Sequence, residues 1–484
     1  MASIGVEVTT SLRSGPSNPG VTSGRFHVAG LTQFGPINKG VVVRSLAQYL
    51  ATFGDRTPYS SAMFDTARLF FEEGGSELVV SRVVGPAATR GSITLKDTAG
   101  VDTVKIEAVD PGAASASLSV EVTESGDTFG VIIRRDGDVI VRFVGLTSPS
   151  DFVSKAATNQ FVNVTSLGSA TAAPGDNPDT VAPVTLTVGT DDRASVTIEH
   201  VIAALEAAGS LAAGGAVAAP GYTVDTIGAQ LAAHAKASKK IALLAVEPGA
   251  TRADVIASAT AFGDNADGDA AGIFYPSLIV PDGGGTRVVG PEGYVAAVRA
   301  KAHRDVGAWQ APAGDRARTR WALGTDVPVD VASNNLLNDA RVNGIVSTGI
   351  NVRLYGYASL AIDVDNMGML TARDVLNNLA IGVSAALEPY VFGNLDGKRH
   401  LLGFIESAVT GVLDPIAKRD GFYSASDEEG NEIDPGYRVV VDTSLNTVGT
   451  ARDNKVVVNV GVRLSPSAQL IQVEIIKVAL GASV

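Results

Sequence analysis

His303, Arg304 and Asp305 spell the H-R-D triplet with which protein kinases place a catalytic base. In kinases an asparagine five residues beyond the aspartate holds magnesium, but Gln310 stands there and no D-F-G follows, so phosphoryl transfer is not expected. Gly283, Gly284 and Gly285 follow an apolar run in "PDGGGTRVVG", where a phosphate could be cradled. No lysine accompanies them, no G-x-x-x-x-G-K-[ST] exists, and they read as a loop. The acidic "GDNADGDAAG" resembles a calcium loop, yet Tyr275 replaces the glutamate required twelve positions in from Asp264, which favours a solvated loop. His27, His200, His234, His303 and His400 form no H-x-x-x-H zinc pair and no partner for a G-x-S-x-G serine. The acidic cluster from Ser426 to Asp434 could attract a cation, but an exposed β-turn is the simpler reading. With no cysteine, thiolate catalysis and disulfides are excluded. The expectation is therefore no catalytic residue, no metal and no cofactor.

At 484 residues the chain is long enough for two or three domains. A formal net charge of −13 argues against nucleic-acid binding, which needs lysine and arginine to neutralise phosphates. The start "MASIGVEVTT" lacks the basic segment and apolar run of a signal peptide. Val201 to Pro220 imitates a membrane span in length. It contains Glu206, consists mainly of alanine and glycine, and has Gly214-Gly215 where a helix breaks, so a short helix, a turn and the strand "AVAAPG" are expected and membrane insertion is not.

The elements alternate in a telling order. Ser45 suits the cap of a helix, and Met63, Ala67, Phe70 and Phe71 form the apolar stripe of a second, stopped by Gly74-Gly75 before the strand "ELVVSRVV". Short alternating strands then run from about Ser92 to Val188, with Asp136-Gly137 as a tight hairpin turn, marking a β-rich insertion. From Ala194 apolar strands interleave with helices, which implies parallel βαβ units; "AGIFYPSLIV" reads as one of these strands. Thr371 and Asp374 resemble a capping box ahead of Leu376, Leu379, Ala380, Val383 and Leu387, and the stretch from Tyr437 onward is β again. A nucleotide-binding α/β enzyme is the alternative that the βαβ pattern raises, but "APGYTVD" and "EPGATRA" lack the glycine fingerprint.

Both chain ends look like strands without evident partners. Ile4, Val6 and Val8 alternate with Gly5, Glu7 and Thr9, and Ile471, Val473 and Ile475 alternate with Gln472 and Glu474. Each could simply edge the chain's own sheet.

Several segments together resemble the tail sheath proteins of contractile phages and of related contractile injection machines. The clearest is "GPEGYVAAVRAKAHRDVGAWQAPAG", whose Pro291, Gly293, Ala297, Ala300, Gly307, Trp309, Ala311, Pro312 and Ala313 are similar to that family's P-x-G, A, G-x-W-x-A-P-A pattern. The opening "VAGLTQFGPINKGVVVRSLAQYLATFG" and the helix ending in paired glycines agree in order and spacing. Two departures are "LYGYASLAID", where many members carry W-G-A-R-T, and a lone Arg373, where many have paired arginines.

The resemblance implies an α/β and α+β multidomain protein: a sheath core with a mixed βαβ sheet at 25–90 and 193–468, an inserted β-rich domain at 91–192, and extended arms at 1–24 and 469–484. It implies a structural, non-enzymatic subunit of stacked hexameric rings around a tail tube, contracting to drive the tube through a host envelope. Partners would be further copies of itself, the tube protein, and baseplate and tail terminator proteins, in a virion tail assembled in the bacterial cytoplasm or in an injection device. The arm strands would be exchanged between subunits. On the helix from Thr371 to Pro389, Arg373, Asp374 and Asn377 are candidates for the tube side. A capsid or surface-layer protein is the remaining structural alternative.

Overall fold

The computed structural model describes residues 23–125, 127–212, 214–347, 351–429 and 431–473. The parallel units join one eight-stranded sheet with the order Val352–Leu354, Val342–Ser347, Ala271–Tyr275, Ile241–Leu244, Ala216–Ala218, Phe26–Gly30, Leu78–Arg82 and Val41–Val43. The six inner strands run parallel and the two edges antiparallel. Ala216–Ala218, Ile241–Leu244 and Ala271–Tyr275 are buried at every residue, as strands covered on both faces must be. Val217, Leu244 and Ile273 share their core with Leu231 and Val255 of the crossover helices Val224–Ala237 and Arg252–Phe262.

Local signals act where the sequence places them. The Ser45 hydroxyl accepts from the Gln48 amide at 3.1 Å and starts Leu46–Phe53. Helix Ser61–Glu72 buries Met63, Ala67 and Phe70, and Gly74 follows it with φ of 95°. Asp136 and Gly137, with φ of 52° and 92°, turn Thr128–Arg135 into Asp138–Leu146. Between Val201 and Pro220 lie the end of helix Ile198–Glu206, a 3-10 turn and the strand Ala216–Ala218. No helix among the described residues is long and apolar enough to cross a membrane.

Other expectations are corrected. "AGIFYPSLIV" is two strands, because Pro276 interrupts the ladder: Ala271–Tyr275 stays in the large sheet, whereas Leu278–Asp282 pairs antiparallel with Gly285–Val289. Gly283 and Gly284 are thus the tight turn of a hairpin, not an open loop. Helix Leu370–Leu387 already includes Thr371, so Thr371 and Asp374 do not form its capping box. The β-like stretch after Tyr437 holds the pair Tyr437–Val440 and Asn459–Val462, but the short helix Val448–Arg452 separates them. Helices Val331–Asp339 and His400–Ala417 had no sequence reading.

The chain packs as two compact units. One comprises Ser23–Lys301 and Pro312–Leu370; the other comprises Ala302–Ala311 and the described residues from Thr371 onward. Within the first, Ser92–Lys96, Asp102–Ala108 and Val162–Ser166 form one antiparallel sheet, and Leu118–Ser125, Thr128–Arg135, Asp138–Leu146 and Val181–Thr185 form another. Both share an apolar core with helix Pro149–Ala156, whose Phe152 meets Phe129 and Phe143 edge-on. The chain enters and leaves this region side by side, with Thr89 and Thr190 bridged. Beneath that crossing the buried Arg82 guanidinium bonds Gly35 O at 2.7 Å, Pro111 O at 2.8 Å and the Asp191 carboxylate at 2.5 Å. In the second unit Val375, Leu379, Val409, Leu413 and Phe422 make a smaller core.

Two consequences are measurable. Arg82→Met leaves the buried Asp191 carboxylate with the more distant Arg193 guanidinium at 3.8 Å and should cost about 3–5 kcal/mol in urea unfolding, part of which Asp191→Leu in the same chain restores; a loss below about 1 kcal/mol contradicts the pairing. His27 and His234 are buried, and that burial, with Lys240 adding repulsion, holds His27 well below the usual imidazole range and His234 at about 4. As pH falls below about 6.5 the unfolded chain takes up protons that the folded chain refuses, so stability declines by up to about 1.4 kcal/mol per pH unit for each group. Changing both residues to glutamine should flatten the profile between about pH 6.5 and 4, and an unchanged slope there would exclude them as its cause.

Candidate functional site

The segment with the most specific sequence pattern starts at Pro291 and the helix Glu292–Asp305, in which Pro291 and the first nine helical positions, Glu292 to Ala300, are all buried. A helix buried all round needs small residues where neighbours cross it. Gly293 meets this need: a Cβ there would lie 2.4 Å from Thr66 O and 3.1 Å from Phe70 N, so the backbones of this helix and Ser61–Glu72 touch. Ala297 and Ala300 are buried farther along, with Ala300 against Gly24. Tyr294 is fully buried; its hydroxyl accepts from the Leu354 amide at 2.7 Å and donates to Ala317 O, and burial pushes the phenol far above its usual range.

The motif's second half serves another core. Gly307, with φ of 149°, lies under the Trp309 ring, which a Cβ would strike at 2.4 Å. The same ring packs against Gly421 and lies 5.5 Å from the Arg419 guanidinium carbon. Ala311 and Pro312 are buried, and Ala313 precedes the 3-10 turn Gly314–Ala317. These residues are packing residues, and none presents a reactive group.

The other singled-out residues scatter. His303 faces Asp374 at 3.4 Å with both side chains buried, while Arg304 and Asp305 pair on the surface at 3.0 Å, so the H-R-D triplet is divided between core and solvent. Asp374 is 1% exposed and Asn377 6%, which corrects their assignment to a tube-facing surface; they are turned inward on helix Leu370–Leu387, and Arg373 is half-buried. His200 caps Ile198–Glu206 by accepting from the Thr197 amide at 3.1 Å, and His400 pairs with Asp396 at 3.0 Å. In the acidic loop Asp267 and Asp269 lie 3.3 and 3.2 Å from Lys236. In the acidic cluster, Ala425–Ser426 pairs antiparallel with Glu432–Asp434. Among the described residues no cluster of His, Cys, Asp and Glu is arranged to hold a metal ion.

The carboxyl-terminal strand pattern has its own outcome. Asn459–Val462 pairs with Tyr437–Val440, Leu464 bridges to Phe422, and no strand continues through 465–473. Leu470 and Ile471 are each 82% exposed and Val473 is 72% exposed. Ile475, like Ile4, Val6 and Val8, lies outside the described residues.

No protein-family model matches the chain, and no curated protein sequence does. Solved structures share its fold. The sheath tail protein of Listeria innocua aligns with a TM-score of 0.63 over 87% of this chain and 89% of its own, at 12% identity. The sheath tail protein of Desulfitobacterium hafniense gives 0.59 over 90% and 94%, at 14% identity. The sheath of an extracellular contractile injection system, the PVC sheath complex in its contracted state, gives 0.56 over 98% of both chains, at 12% identity. The likeness covers most of the chain in each case, and the chain has the fold of contractile sheath proteins.

Proposed function

We propose that this chain is the structural subunit of a contractile sheath, polymerising as stacked hexameric rings around a tail tube and contracting to drive that tube through an envelope. The observation that carries the reading is the match over 98% of both chains to a sheath solved in its contracted state. Further copies of the chain, the tube, the baseplate and a tail terminator are the partners this role requires, in a virion tail or a bacterial injection device assembled in the host cytoplasm. Such a subunit needs no catalytic residue, since the work comes from relief of a metastable assembly.

In this reading the chain divides into an arm at 1–24, a core at 25–90 and 193–468, an inserted β-rich domain at 91–192 and an arm at 469–484. The arms complete neighbouring subunits' sheets by strand addition. Supporting this, Ile471 and Val473 are apolar, two positions apart as on one face of a strand, and exposed on their own chain. A donated strand with about five backbone hydrogen bonds at roughly 1 kcal/mol each, plus its buried β-branched side chains, links neighbours by several kcal/mol. Such a link persists while weaker contacts between rigid bodies change.

Removing residues 470–484, or 1–12, should leave monomers that unfold as cooperatively as the full chain while abolishing polymers in sedimentation and electron micrographs. Intact polymers from either truncation would exclude the strand-exchange arms.

A further inference from the structure

The large sheet carries a feature that a purely structural subunit does not need. At the carboxyl ends of two neighbouring parallel strands, the segments Gly221–Thr223 and Ala245–Pro248 form part of a cleft of about 200 Å³, where α/β sheets commonly hold small ligands. Its other walls are the first turns of helix Ser61–Glu72 and the residues from Val288 to Glu292.

Glu292 lines this cleft and is only 4% exposed. Its carboxyl group accepts from its own backbone N–H, while Oε2 is buried and meets no donor. That is costly for a carboxylate unless something else supplies the donor. Oε2 lies close against Gly290, where a Cβ would sit 2.2 Å from it, so the position depends on glycine.

The surrounding charges select the ligand's sign. Arg56 is the one basic side chain of the lining, and it is already bound to Asp65 at 3.1 Å; Arg287 reaches the same Asp65 at 2.9 Å. Glu247 and Glu292 remain without a basic partner on the lining, so a cation fits and an anion does not. No multi-carboxylate cluster suited to a metal exists among the described residues. A single free oxygen suits the point charge of an ammonium better than a guanidinium, which takes both oxygens of a carboxylate. Ala62, Val246 and Val289 supply apolar wall for a short carbon chain.

We propose that this cleft binds a primary ammonium group on a short alkyl chain, with Glu292 as its carboxylate acceptor. Burial raises the Glu292 carboxyl to about 7. The other titratable groups of the cleft are Asp65, whose own carboxyl is raised by burial, Arg56, Tyr222 and Glu247, with Arg287 paired to Asp65. The ammonium binds the ionised form, so affinity rises with pH through about 7 and levels off above it, and binding below that pH releases a proton.

The test is calorimetric titration of the full chain with n-butylammonium chloride at pH 8 and pH 6, with n-butanol as the neutral analogue. Expected are saturable binding at pH 8, about tenfold weaker binding at pH 6 with heats that depend on the buffer's ionisation enthalpy, and at least a tenfold loss in Glu292→Gln. Gly290→Ala, which displaces the carboxyl group, should lose binding as well, and it decides the matter should Glu292→Gln fail to fold. Absence of saturable binding at pH 8, equal affinity in both variants, or equally tight binding of n-butanol overturns the proposal.

Discussion

A guanidinium taken out of water must find anions and carbonyls to replace it, and Arg82 finds them where the inserted region joins the large sheet. Arg82 is the last residue of the strand Leu78–Arg82, so its backbone belongs to the sheet while its side chain ties the loop at Gly35, the turn at Pro111 and the returning chain at Asp191. The two inserted sheets have an apolar core of their own. What they need is a fixed stem, and the Arg82 fork with the Thr89–Thr190 bridge provides it. An antiparallel region of about a hundred residues can thus interrupt a parallel sheet without disturbing its register.

The large sheet is otherwise self-sufficient, with antiparallel strands at both edges and helices over its buried inner strands. The carboxyl-terminal segment contrasts with this, because its alternating apolar residues gain nothing from their own chain. Exposed, unpaired strand sequence is normally avoided because it invites association. In the sheath subunit proposed above, the same property would serve as the linking device.

Much of this was legible where the determinants are local. Ser45 before an apolar-periodic run, Asp136-Gly137 between β-rich runs, and Gly74-Gly75 after a helix each act through backbone geometry within a few residues. The pattern from Pro291 to Ala313 was legible as a family resemblance, and its physical meaning emerged only with the packing: Gly293 permits a backbone crossing, and Gly307 makes room for Trp309. What could not be read depends on residues distant in sequence. Asp374 looked like a helix cap and a surface charge because nothing nearby shows that His303 lies against it. Gly283-Gly284 looked like a loop because its hairpin partner follows a proline that splits one apparent strand into two. Glu292 passed unnoticed, since only three-dimensional burial isolates its carboxyl group.

Electron microscopy of the purified protein at high concentration, alone and with purified tube, tests whether this chain polymerises as a sheath. Hollow, helically ribbed tubes with sixfold rings in either sample are the predicted result. Discrete monomers in both samples, or closed shells or flat lattices, would contradict it.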